Sequence, residues 1–190
     1  LTEEAIGGVL RGGTIAAKPV AERDGPGEAV MAYRKARLEV LASLRGGEGE
    51  KALALINEKE SILSGTDPAD PDVLRGMAYS VLGEKDKSLG HYMKAVKVGN
   101  GNAGVLFRVA HGLLDYGSVR DNELALECAR AAAKIDAKPI CLHMQARAEN
   151  AAGNKEVAIA ILEKLAEEED EEIYREDLRA LKEGKAPAAP

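Results

Sequence analysis

Apolar side chains recur along this chain at spacings of three and four, which gathers them on one stripe of an α-helix, and the runs are interrupted at intervals by glycine. Ser88, Leu89, Tyr92, Ala95 and Val96 make one such run, and Leu106, Val109, Ala110 and Leu113 make another. Gly47, Gly83, Gly117 and Gly153 stand 36, 34 and 36 residues apart. Three of them, all but Gly117, lie five residues before a small residue followed by Leu or Ile. A period of this size marks a helical repeat in which each unit is a helix–turn–helix hairpin. No alternating or β-branched run supplies strands, so the pattern predicts an all-α chain.

The copies differ in clarity. In one, Asp70-Pro71 is expected to supply a capping side chain and a residue suited to the first helical turn, with a helix running through Gly76, Tyr79 and Leu82 to Gly83. The next continues from Leu113 to Gly117, then Ala125, Leu126, Ala129 and Ala132, with about three extra residues around Ser118-Val119-Arg120. A third starts at Pro139 and reads Leu142, Ala146, Gly153, Ala158, Ile159 and Leu162. The earliest spans Glu28 to Ser64 with Val40, Gly47, Ala52, Leu53 and Ile56. Small residues where helices cross permit close approach and interlocking of side-chain rows, so a bulky residue at Ala125 or Ala158 is expected to overpack the array.

Gly76, Tyr79, Gly83, Ser88, Tyr92 and Ala95 stand in the order and spacing of the tetratricopeptide repeat, a motif of about 34 residues, and the chain resembles that family from Glu28 to Ala166. In the copy around Gly153, Glu149 stands where the family prefers an aromatic and Leu165 where it prefers Ala. The resemblance implies a right-handed superhelical array of about four hairpins that binds proteins or peptides in a concave groove.

Asp170 to Glu183 reads as one more helix, apolar on one side through Ile173, Tyr174, Leu178 and Leu181, with Asp177 in the same stretch. A one-sided helix suits a terminal cap, which must offer water a polar face. The run Glu167 to Glu172 reads either as a solvated connection that places negative charge at the start of that helix or as an acidic recognition segment. The chain therefore divides into an N-terminal short helix and linker at 1–27, the repeat domain at 28–166, the capping helix at 167–184 and a disordered tail at 185–190. Thr2 to Leu10 is expected to be a short helix and Gly12 to Gly27 a linker. This start resembles the closing helix and exit segment of thioredoxin-like domains, some of which carry tetratricopeptide repeats behind them. The chain opens at Leu1 without a signal-peptide pattern, so any such peptide is expected to have been removed or to lie outside it.

Composition narrows the partners. The 45% hydrophobic content suffices for a continuous core. A net charge of −6 with 3% aromatic residues disfavours phosphate-backbone binding and base stacking, so no nucleic-acid partner is expected. No stretch approaches the roughly 18 apolar residues of a bilayer-spanning helix, so no membrane partner is expected either. The 2 cysteines, Cys128 and Cys141, form neither a CxxC pair nor a zinc pattern and leave the compartment open.

Candidate chemistry is sparse. Gly99-Asn100-Gly101-Asn102-Ala103-Gly104 spells GxGxxG behind Ala95-Val96-Lys97-Val98, but the repeat register makes Val98 the end of a helix begun near Glu84, where a dinucleotide site needs a strand. Cys128 and Cys141 map to neighbouring helices, either as two buried thiols or as a disulfide. In the family's register the groove-facing positions are Phe107, His111, His143, Arg147 and Asn150, with Arg108 at the edge. Together these read as a mildly basic groove suited to an acidic peptide or a C-terminal carboxylate, or else as solvated polar residues on a helix face. The Lys and Asn of the family's carboxylate clamp are not matched. The histidines lack a third metal ligand at sensible spacing, and no nucleophile, base and orienter assemble.

The expectation is thus a protein- or peptide-binding scaffold with no cofactor and no catalysis of its own. Two alternatives stand beside it: an accessory module of a thioredoxin-like oxidoreductase, and a structural module for self-association.

Overall fold

The computed structural model describes residues 27–184, and the expected all-α class holds there: ten helices and no strand among the described residues. The helices sort into two compact units. The first contains α1 (Glu28–Arg45), α2 (Gly49–Glu58), α3 (Glu60–Thr66), α4 (Asp70–Val81) and α5 (Lys85–Gly99), together with the loop Gly117–Val119. The second contains α6 (Ala103–Asp115), α7 (Asn122–Ile135), α8 (Pro139–Ala151), α9 (Lys155–Glu168) and α10 (Glu172–Lys182). The expected helix at Thr2–Leu10, the linker up to Pro26 and the tail at 185–190 lie outside the described residues.

The periodic glycines end helices in one way. Gly47, Gly83 and Gly153 take φ of 74°, 76° and 88°, a left-handed conformation that a side chain disfavours. In each case the next amide donates to the carbonyl five residues back: Glu48 to Ser43 (2.9 Å), Glu84 to Tyr79 (2.9 Å), Asn154 to Glu149 (2.8 Å). These are Schellman endings, which satisfy the last carbonyls of α1, α4 and α8 and turn the chain into the following helix. Gly117, with φ of 64°, has a different task. A Cβ there would sit 2.2 Å from the carbonyl carbon of Ser80, so its missing side chain allows the loop to lie against the end of α4. Ser118 N donates to Ser80 O at 3.1 Å, and Val119 N donates to Ser80 Oγ at 3.1 Å. The extra residues around Ser118 are thus a docked loop.

In the first unit α4 and α5 form a hairpin with a close crossing. A Cβ on Gly76 would meet the Tyr92 ring at 2.6 Å, and Ser88 Oγ donates to Gly76 O at 2.8 Å across the same crossing. Tyr92, Ala95, Val73, Leu74 and Met77 are fully buried; each large apolar side chain among them contributes on the order of 2 kcal/mol by leaving water. α1 packs on α2, α3 and α4 through Ala36, Val40 and Leu44. The earliest hairpin departs from the expected pattern in its second half, which breaks at Lys59 into α2 and α3. The expected cap of α4 also shifts. Ala69 occupies the N-cap and Asp67 Oδ1 accepts from Ala69 N (3.0 Å), while Asp70 lies inside the helix, fully buried. Its carboxylate accepts from Tyr33 Oη (3.0 Å) and Arg37 Nε (3.3 Å) of α1. Spent on those tertiary partners, Asp70 is not a local cap.

In the second unit the packed pairs are α6 with α7, α7 with α8, α6 with α8, α8 with α9 and α9 with α10. Ala146 of α8, Ala158 and Leu162 of α9 and Leu181 of α10 meet in one cluster, so small residues do sit where these helices touch. Ala125 and Ala158 are completely buried. Glu149 is 1% exposed. It accepts from Arg130 Nε (2.7 Å), Arg130 Nη2 (2.8 Å) and Asn154 Nδ2 (2.9 Å), so the buried carboxylate is met by charge-assisted donors. α10 covers α9 with Tyr174, Asp177 and Leu181 buried and leaves Ile173 exposed.

Candidate functional site

The six residues assigned to a groove all fall on α6 and α8, the first helices of two packed hairpins in the second unit, and all are half-buried. α6 is started by Asn102, whose Oδ1 accepts from Gly104 N (2.8 Å) and Val105 N (3.2 Å). The GxGxxG glycines therefore belong to a helix–turn–helix junction, with Ala95–Val98 in the last turns of α5. α8 starts on Pro139, as expected.

Helical spacing then aligns the side chains. Phe107, His111 and Asp115 follow at intervals of four on α6, and His143, Arg147 and Asn150 at intervals of four and three on α8. The Phe107 and His111 rings are stacked with centroids 6.2 Å apart, and Tyr116 meets His111 edge-on at 5.4 Å. Arg147 crosses from α8 to α6 and holds Asp115 with two nitrogens, Nη1 to Oδ2 (3.0 Å) and Nη2 to Oδ1 (2.5 Å). His111 Nε2 lies 3.2 Å from the same carboxylate. The structure thus brings His111 and Arg147 together on Asp115, with Phe107 stacked on His111. Arg108 is one residue along the same turn, and Asn150 is a turn beyond Arg147 on α8.

His143 belongs to a second cluster. Its Nε2 is 2.8 Å from Asp177 Oδ2 on α10, and its ring meets Tyr174 edge-on at 5.0 Å. An ionised carboxylate only accepts, so Nε2 carries the hydrogen in this contact. Asp177 is 1% exposed, and its second oxygen, Oδ1, has no hydrogen-bond partner. Burial lifts the Tyr174 phenol above its usual range, and the negative charges of Glu171 and Glu169 add to the lift.

Sequence reasoning missed both aspartates. Each left a trace: Asp115 lies four residues after His111 on one helix face, and Asp177 is a charged residue inside an otherwise apolar stripe. The same arrangement recurs in the first unit, where His91 Nδ1 lies 2.9 Å from Asp72 and its ring stacks on Tyr79 at 5.3 Å. All 3 histidines of the chain therefore sit between an aspartate and an aromatic ring.

Electrostatically, Asp115 offsets Arg147, and Asp177 faces His143, so both groups of the expected groove come with built-in carboxylate partners. Cys128 on α7 and Cys141 on α8 are both free and buried. Burial pushes the Cys128 thiol up to about 12 and raises that of Cys141 as well, which leaves little thiolate at neutral pH. Among the described residues no group of three His, Cys, Asp or Glu side chains is placed to hold a metal ion. No helix among them is long and apolar enough to cross a membrane.

No protein-family model, curated protein or solved structure matches the chain.

Proposed function

We propose that this chain is a binding scaffold of stacked helical hairpins, similar to tetratricopeptide repeats, whose second unit presents the α6–α8 face to a protein or peptide partner. The observation that carries this reading is the half-buried group of His111 and Arg147, both held by Asp115, with Phe107 stacked on His111. Side chains fixed before binding lose little freedom when a ligand arrives, so an extended peptide bears most of the ordering cost. The stacked Phe107–His111 pair offers an aromatic platform, and Arg147 with His111 offers donors. An acidic side chain or a terminal carboxylate reaches Arg147 by competing with Asp115, an exchange of one bidentate partner for another. Repeated glycine-terminated hairpins and small residues at helix crossings support the scaffold reading.

In this reading the chain performs no catalysis. Selection from a displayed library of random peptides tests it: wild-type protein should enrich a common motif, and His111→Ala with Arg147→Ala should lose those peptides while circular dichroism shows the same helix content. Equal affinity in the double variant would discard this face.

A further inference from the structure

α1 turns an unusual stripe outward. Met31, Lys35, Leu38, Ala42 and Arg45 follow at intervals of four, three, four and three, which keeps them in one line along the helix, and all five are exposed. Leu38 is 64% exposed and Met31 53%, the two exposed large apolar side chains on this helix. Arg34 flanks the line. Close by, the partly buried Arg37 holds Asp70 and Arg75 holds Glu60. Arg34, Lys35 and Arg45 make no ion pair with any described residue. Beside the stripe an open cleft of about 380 Å³ is lined by Glu39, Ala42, Ser43, Glu48, Lys51 and Leu55, with Lys51 paired to Glu48. In a chain of net charge −6, the stripe and its flank carry three exposed cations, Arg34, Lys35 and Arg45, along an apolar spine.

The complementary surface is on the same molecule. Glu167, Glu168, Asp170, Glu171, Glu172 and Ile173, at the end of α9 and the start of α10, are all exposed. Asp170 and Glu172 hold Arg175, but Glu167, Glu171 and Glu176 are in no ion pair among the described residues. Ile173 stands 39% exposed amid these carboxylates. Opposite charge around apolar contacts is the pattern that steers and then seals a protein interface.

We infer that the outward stripe of α1 docks on the Glu167–Ile173 edge of a second copy of this chain, producing head-to-tail self-association. The contact is heterologous, pairing two different patches, so each copy keeps one of each available. It uses neither α6 nor α8 and stands apart from the peptide-binding face.

Sedimentation velocity on the whole chain across a concentration series tests the inference. The average mass should rise with concentration and fall back as salt screens the charges. Arg34→Glu with Lys35→Glu should weaken association by about tenfold or more, because like charges then face each other, and Glu167→Lys with Glu171→Lys should do the same. An equimolar mixture of the two variants should regain association, since the intact edge of the first meets the intact stripe of the second. A chain that stays monomeric throughout, as it would if the stripe were covered from within its own chain, overturns the proposal. So do association that survives both charge reversals and a mixture that fails to recover.

Discussion

Asp115 and Arg147, 32 residues apart in the chain, are locked side to side by two parallel hydrogen bonds, and each side chain is only 13% exposed. Removing the charge of Asp115 leaves a guanidinium short of its acceptor in a half-buried place. Asp115→Asn should therefore cost about 1–3 kcal/mol in urea denaturation. The same change removes the internal competitor for Arg147, so peptides selected by the wild type that carry carboxylates should bind the variant more tightly in calorimetric titration. A variant that is as stable as the wild type and binds such peptides no better would show that the pair is ornamental.

Gly117 and Gly153 both adopt left-handed backbone, but only Gly117 lies against another part of the chain. Gly153→Ala meets nothing within 4 Å and should cost only the conformational strain, about 1–2 kcal/mol. Gly117→Ala adds a methyl 2.2 Å from the Ser80 backbone and should cost clearly more, because the loop has to lift away. Thermal melts of the two variants check the order, and equal losses would contradict the close approach.

Glu149 gives the fold a pH dependence. Burial pushes its carboxyl upward, but hydrogen bonds from Arg130 and Asn154, the Arg130 charge and Gln145 together outweigh this and hold it below the usual carboxylate range. A group depressed in the folded state stabilises above its unfolded value and loses that contribution as pH falls through the folded value. Glu149→Gln should cost about 1–3 kcal/mol near neutrality, and the gap to wild type should narrow below about pH 4. A constant gap from neutral to acid pH would contradict the carboxylate's part.

Both thiols should resist modification. With Cys128 pushed up to about 12 and Cys141 raised, a disulfide-exchange reagent at pH 8 should leave the native chain nearly unreacted and titrate 2 thiols after denaturation. Rapid native reaction would show that α7 and α8 open readily.

Much of the helical layout was legible because glycine spacing and apolar periodicity are local signals. Gly47, Gly83 and Gly153 end helices where the period places them, and Ser88, Tyr92, Ala95 and Ala158 are buried as their spacing predicts. What escaped reading depends on partners distant in sequence. Asp70 looked like a cap because its partners Tyr33 and Arg37 lie on another helix. Glu149 looked like a mismatch because Arg130 supplies its donors from α7. The groove residues were placed on the expected helices, yet the charge of Arg147 is settled by Asp115, a residue with no motif of its own. The break at Lys59 carries no glycine or proline to announce it.

The docking of Gly117–Val119 has a consequence for anyone dissecting this protein. That short loop clusters with the helices of the first unit although the segments on both sides of it, Asn102–Tyr116 and the chain from Arg120 onward, cluster with the second. Neither half is a continuous stretch of polypeptide. A piece truncated after Gly101 would forfeit the bonds that Ser80 makes to Ser118 and Val119, and a piece begun at Asn102 would carry that loop away without the serine it grips. Because each unit draws on two separate stretches of the chain, neither can be excised intact by a single cut.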